Sequence, residues 1–572
     1  MQIALGEDSE RARLAALGRL YGQVRFFHPA SELQDLDWGR VMVYGVQRVL
    51  AADDSESLEA ALKSTFEPVA PSVLITSGNL PAQNPAVNTQ HTYWEHRGVW
   101  YGPSSNMYRS QRVGIDGDAV LELSVERGEV TDIELGAGVR ARIPLSLAFV
   151  ESSTLPRSNV QELDRWHAMI DGLEVGDASD ECVRVASTLM VWAVIEHFFP
   201  YFDVVNLDWE SRLDQFLAES LKDQSSNEYY RFLCAMMAEL KDGHAYVYMS
   251  AGQHWSPKAP AARFDIARDG SIVVTRSWNE SLLRKGDVVV SIDGLTAAEE
   301  LERWEHVTAG SDQLRRHRAL NQFGTSDDGG DAAFVVRRVE GEREHEIQLL
   351  VDRSERSAMF FVQPEFEHPP ISEVAEGVWL VNLLNISNAQ WQEHIEEIKQ
   401  AHGLIVDFRW GGSGDQDINS LTLASQFIDQ PVSTVSWEVP GLVRPGFDEV
   451  LWGTDTWAID PKEPRLKADV VFLTSPAVVS FGETVMSFWD HYGLARIVGE
   501  PTAGCNGNVN RITDLPCGMT ANFTGMRVRK HDGSVLYGAG YKPDVLIERT
   551  VEQIRSGKDH ALLEAINLLT DD

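Results

Sequence analysis

The run Val470-Val471-Phe472-Leu473-Thr474 is β-branched and apolar, and a short loop separates it from a segment that keeps Phe481, Val485 and Phe488 on one helical face. That order predicts strand, tight loop and helix, with Ser480 at the junction. A hydroxyl in the first turn of such a helix sits at the positive end of the macrodipole. It also lies beside unpaired backbone N–H groups that can hold a developing oxyanion. The place suits a nucleophile. Ser480-x-x-Glu483 is equally the pattern of a capping box, which needs no chemistry at all, and the local sequence by itself favours the cap.

Landmarks around the junction widen the reading. Gly403-Leu404-Ile405-Val406-Asp407-Phe408-Arg409 has the pattern of a buried strand and runs into Gly411-Gly412-Ser413-Gly414. Downstream come Val498-Gly499-Glu500-Pro501-Thr502-Ala503-Gly504, then Asp532-Gly533, then Gly540-Tyr541-Lys542-Pro543-Asp544-Val545. In this order and spacing the series resembles the tail-specific, or C-terminal-processing, serine peptidase family, whose core is shared with the tricorn protease. The resemblance covers about two thirds of the chain, from Cys182 onward. It implies a ClpP/crotonase-like α/β peptidase core in which Ser480 is the nucleophile. The implied oxyanion hole is made by the N–H of Phe481 and by an N–H of the glycine turn, taken as Gly412 rather than Gly411. A plain flexible turn is the rival reading of those glycines.

The family has two branches. In one, a lysine in a Thr-x-Gly-Lys element takes the proton; here Thr502-Ala503-Gly504 is followed by Cys505, so that dyad is ruled out. In the tricorn-like branch an upstream histidine does so, and Leu240-Lys241-Asp242-Gly243-His244 matches its element. The resemblance therefore makes His244 the general base, a role that suits an imidazole titrating near neutrality. Two departures stand out. Gly243 occupies the position of a serine that precedes the histidine, and Tyr537 lies near the position of an orienting glutamate. The group that orients His244 must then come from elsewhere, and Asp242 is not expected to supply it, because adjacent side chains diverge.

With 572 residues, 43% of them hydrophobic, the chain is expected to form three to five domains with packed cores. A formal charge of −36 argues against nucleic-acid or anionic-membrane partners. No run of 18 apolar residues predicts a transmembrane segment. The start, Met1 to Asp8, has no basic and apolar leader, so the compartment is cytoplasmic as the sequence stands, or periplasmic or extracellular if a segment was removed. Cys182, Cys234, Cys505 and Cys517 are too few for a disulfide framework, and two free thiols at 505 and 517 are preferred to a pair.

Residues 10–76 and 181–247 read as diverged copies of one helical unit. Phe27-His28-Pro29 parallels Phe198-Phe199-Pro200 and Asp37-Trp38 parallels Asp208-Trp209, both at an offset of 171 (200 − 29 and 209 − 38). At that offset His244 corresponds to Val73, so the first copy keeps the scaffold without the base. Residues 90–150, including Ala119 to Leu123, read as a β module, with His96 structural. A second β module, with Arg284-Lys285-Gly286-Asp287 leading into Val288-Val289-Val290, resembles a PDZ domain. Such a module can add a peptide tail as an extra strand, although no clear carboxylate-binding loop opens it. Leu314 to Asp331 reads as an insertion in it with a solvated turn at Asp327 to Asp331. The expected division is 1–80 degenerate helical unit, 81–160 β module, 161–255 helical unit with His244, 256–353 PDZ-like domain and 354–572 α/β core.

The function so implied is a serine peptidase acting on peptides or protein tails through an acyl-enzyme, without cofactor or metal, and with homo-oligomer formation left open. Two alternatives stay open: a weakened relative that binds a peptide or small hydrophobic ligand, and a transpeptidase or cyclase that passes the acyl group to an amine.

Overall fold

The computed structural model describes residues 9–83, 89–98, 109–115, 117, 119, 121–249, 257–327, 329–355, 365–410 and 420–570. The turn holding Gly412, part of the expected oxyanion hole, lies outside them.

Its organising element is a six-stranded sheet of Ile371–Ala375, Val378–Asn382, Gly403–Asp407, Asp469–Thr474, Arg496–Gly499 and Val545–Leu546, in that spatial order. All neighbours are parallel except the first pair. Because both faces are covered, the central strands can be apolar throughout. Leu404, Val406, Val470 and Phe472 pack with Val485 and Phe488 of the helix Phe481–His491 on one side. Ile405, Val471 and Leu473 pack with Ala561, Leu562 and Ala565 of the helix His560–Thr570 on the other. The period-two alternation thus feeds two cores at once.

The far helix is locked to the sheet by a buried charge cluster. Arg409, just past its strand, donates to Asp407 at 2.7 and 2.9 Å and to Asp559 at 2.8 and 2.9 Å. Asp559 in turn accepts from the N–H of Leu562 in that helix.

Helices of the two helical segments recur at the offset read from the aromatic pairs. Glu10–Phe27 corresponds to Glu181–Phe198 (181 − 10 = 171 and 198 − 27 = 171), and Ser55–Phe66 begins 171 residues before Ser226–Ala238. The long helices pack on each other at glycines: a Cβ on Gly18 would meet Leu189 Cδ2 at 2.7 Å, and one on Gly22 would meet His197 Nε2 at 2.6 Å. The copies then diverge in what their terminal strands join. Leu74–Thr76 pairs with Val139–Pro144, whereas Val247–Met249 pairs with Met519–Thr524 of the C-terminal region.

Strands from both ends of the chain also share a seven-stranded sheet, in which His91–Arg97 pairs with Ser436–Leu442. The 119–123 run forms no strand among its described residues. Leu121 instead lies over Gly441, where a Cβ would come within 2.6 Å of it. His96 is buried, with its ring nitrogens on Phe26 O and Ser110 Oγ, in keeping with a structural role. A third large sheet runs Ala262–Ile266, Ile272–Ser277, Val288–Ile292, Asp331–Glu340, Arg343–Glu355 and Lys258–Pro260. The four cysteines are free thiols, and no helix among the described residues is long and apolar enough to cross a membrane.

Arg409, Asp407 and Asp559 are only 11, 3 and 8% exposed, so removing one partner strands a buried charge. Asp559→Ala should therefore cost roughly 3–5 kcal/mol in chemical denaturation. Burial alone would raise the Asp559 carboxyl, but His368 and the Arg409 guanidinium hold it well below the usual carboxylate range. Its contribution should be complete above the ordinary carboxylate pKa of about 4 and be lost as pH falls below it, a dependence absent in the variant.

Candidate active site

Ser480 is half-buried at the head of its helix, with φ 56° and ψ −114°. A capping residue has extended backbone and bonds a helical N–H through its side chain; Ser480 does neither. This left-handed conformation is costly for a residue with a Cβ and is typical of a nucleophile elbow, where it exposes the hydroxyl. The N–H of Phe481, next along, has no acceptor among the described residues and remains available as a donor.

Glu483 is fully buried and does not close a capping box. It accepts from Thr502 Oγ1 at 2.6 Å, from Gly504 N at 2.6 Å and from Cys505 N at 2.7 Å. Burial pushes its carboxyl up to about 7 against the pull of those three bonds. The loop it holds runs beside the segment leading to Ser480: Glu500 N donates to Thr474 O at 3.2 Å, Ala503 N to Val478 O at 3.0 Å and Ser480 N to Cys505 O at 2.7 Å.

His244 reaches the same place from the second helical unit. The pairs Met519↔Met249, Thr520↔Tyr248 and Ala521↔Val247 each sum to 768, a register that sets Thr524 opposite His244. Thr524 Oγ1 is 2.9 Å from His244 Nδ1 and donates to Asp242 Oδ1 at 2.7 Å. Asp242 also accepts the N–H of Thr524 at 2.6 Å and that of His244 at 2.9 Å. A carboxylate only accepts, so the threonine proton goes to Asp242 and its oxygen receives Nδ1–H. That tautomer leaves the Nε2 lone pair free to take a proton. Burial lowers the imidazole pKa, Asp242 opposes the fall and Arg318 adds to it, so the ring is neutral at pH 7.

Cys505 is the meeting point. Its carbonyl receives the Ser480 N–H, and its thiol lies 3.9 Å from Asp242 Oδ1. No hydrogen bond joins His244 to Ser480 directly among the described residues. Burial, then Asp242, push the thiol pKa well above its ordinary value, so Cys505 is a neutral filler and not a base. Ligand atoms of Asp242, His244 and Cys505 lie within 4.8 Å of one another, a donor set of the kind that holds metals. Here the carboxylate is already spent on three donors and the thiol keeps its proton.

Gly243 now has a reason. A Cβ there would meet Cys505 and Leu314 at 2.6 Å, so no serine fits before His244. Tyr537 donates to Leu240 O at 2.7 Å and braces the turn from below, without touching the histidine. The helix Asp312–Leu320, with Ser311 before it, clamps the site, and only its part from Leu314 onward belongs to the segment read as an insertion. Ser311 Oγ donates to Ala503 O at 2.5 Å, Gln313 Nε2 to Thr502 O at 2.9 Å and Arg318 Nη1 to Gly243 O at 2.7 Å. Asp327, in its expected solvated turn, is paired with Arg231 at 2.6 Å.

The arrangement brings a serine, a neutral imidazole and a backbone donor into one region of the α/β core. Residues 378–547, which make up most of this α/β core, match the profile of peptidase family S41. A "Probable CtpA-like serine protease" of Staphylococcus aureus is 25% identical over 225 residues, 37% of this chain and 42% of the relative. The chain thus spans less than half the length of that curated relative. Among solved structures, mature CPAF complexed with lactacystin has a TM-score of 0.55 at 14% identity, covering 68% of this chain and 99% of that one. A second structure of mature CPAF gives 0.54 at the same identity, with 68 and 98% covered. These likenesses concern the fold.

Thr524→Val should slow acylation of Ser480 by a fluorophosphonate roughly tenfold to a hundredfold, because His244 loses the partner that sets its tautomer. Thr524→Ser should stay near wild type. Equal rates for wild type and the valine variant would remove Thr524 from the site.

Proposed function

We propose that the protein hydrolyses peptide bonds in peptides or unfolded protein tails through an acyl-enzyme on Ser480, with His244 as general base. The observation that carries this reading is Ser480 itself: a strained, uncapped serine at a helix start, joined through Cys505 to a histidine whose tautomer is set by Thr524 and Asp242. Such strain is retained where it serves a purpose, and capping is not the purpose here. In the proposed reaction Nε2 takes the Ser480 proton as Oγ attacks the carbonyl. The oxyanion rests on the N–H of Phe481 and that of Gly412. His244 then returns the proton to the leaving amine and activates the water that frees the enzyme.

The finer parts of the reading belong with it. The 354–572 core is taken as ClpP/crotonase-like. The 256–353 sheet is taken as a PDZ-like domain that can receive an extended peptide at an edge, while 161–255 carries the base and 1–80 its degenerate copy. The mechanism as proposed uses no metal or cofactor. The strongly acidic chain favours neutral or basic peptides over nucleic acid.

A casein or peptide-library digest should show cleavage by wild type and none above background for Ser480→Ala and His244→Ala, with fluorophosphonate labelling lost in the serine variant. Turnover undiminished in Ser480→Ala would sink the assignment. Labelling without cleavage points instead to an acceptor other than water, which product masses would reveal. Since the base must be neutral and burial lowers its pKa, kcat/KM should be flat at pH 7 and fall only below about 6.5. An acid limb above that value would contradict the burial of His244.

A further inference from the structure

A cavity of about 410 Å3 lies between the sheet of residues 258–355 and the α/β core. Ser480 and His244 do not line it, but the segments leading to the serine and to the glycine turn do, through Ser475, Ala477 and Trp410. Its charges are unevenly matched. Arg409 is spent on Asp407 and Asp559, and Arg549 on Glu365 at 2.8 Å and on Asp265. Arg263 turns its guanidinium over Trp410, 5.7 Å from the ring centre. The Glu500 carboxylate also lines the cavity and has no hydrogen-bond or ion-pair partner among the described residues. The Glu500 side chain is exposed to solvent at the cavity, and desolvation by its surroundings, then Asp265, Glu365 and Glu548, shift its carboxyl upward while Arg549 offsets them in part. Phe264, Phe323 and Phe366 add aromatic surface that favours an alkyl stem ending in a cation.

Glu500 is tied to the nucleophile by the backbone. Its N–H and C=O bond Thr474 at 3.2 and 2.9 Å, and six residues lead from there to Ser480. Six residues span at most about 22 Å, which an extended peptide covers in about six residues. Resting on the peptidase reading above, we infer that this cavity is a specificity pocket for a lysine or arginine side chain of the substrate, held by Glu500 within about six residues of the scissile bond. The acid is held on a rigid strand end, and the occupant supplies the countercharge that the fold withholds.

Binding can be measured without cleavage. In the Ser480→Ala protein, a fluorescein-labelled ten-residue peptide of neutral residues would carry one lysine moved through each position, with norleucine at the same position as control. One position should prefer lysine by roughly tenfold or more, the usual gain for a hydrogen bond to a charged group, and arginine should share the preference. Glu500→Gln, which keeps size and shape, should abolish it while binding of the norleucine peptide is unchanged. No position-specific preference, including no binding at all, or a preference that survives Glu500→Gln, overturns the assignment. Wild-type cleavage separates the two claims. Cleavage without lysine preference leaves the peptidase standing and removes the pocket, whereas preference without cleavage leaves the pocket and removes the peptidase.

Discussion

Everything at the site depends on one piece of strand pairing, Val247–Met249 against Met519–Thr524. It joins a helical unit near the middle of the chain to the C-terminal region, and its register sets Thr524 across from His244. A slip of one residue would send every side chain of the short strand to the other face. Here the register is pinned from both sides, because Asp242 binds the N–H and the hydroxyl of Thr524 as well as the N–H of His244. The turn that presents the histidine and the strand that orients it are therefore one hydrogen-bonded object.

Packing around Cys505 makes the second half of the site equally determinate. A buried carboxylate, Glu483, holds three donors of the 502–505 loop, and that loop runs alongside the path to Ser480. Gly243, Leu314 and Cys505 fill the remaining space with contacts too close for any added side chain at 243. The serine can hold a strained backbone because its neighbours over-determine it. Stability and reactivity thus share the same contacts, and the cost of a buried acid at Glu483 is accepted where the loop is needed.

Much of this was legible in the chain. The strand, loop and helix around Ser480 follow from period-two and helical patterning, and the twin helical units follow from aromatic pairs at one offset. The capping box at Ser480 and Glu483 was a sound local inference that tertiary context overrode. Glu483 found three better donors in a loop 19 to 22 residues away, which no window of local sequence can display. Thr524 was invisible for the same reason, lying 280 residues from the histidine it touches. The run at 119–123 has strand-like alternation, but Leu121 is used to cover a glycine of another segment. The segment from Leu314, read as an insertion, begins in the helix Asp312–Leu320, which shares its apolar residues between two cores: Leu320 packs into its own sheet, whereas Leu314 packs on Ala503 and Cys505.

The sequence by itself determined the elements, the α/β character of the core and the candidates Ser480 and His244, since these depend on local periodicity, turn chemistry and the order of short motifs. Only the tertiary structure decided that Ser480 does not cap its helix, that Asp242 and Thr524 together set the histidine tautomer, and that Gly243 is glycine because Cys505 and Leu314 press against it. Those are statements about distances between residues far apart in the chain, and such distances exist only once the strands have paired and the core has closed.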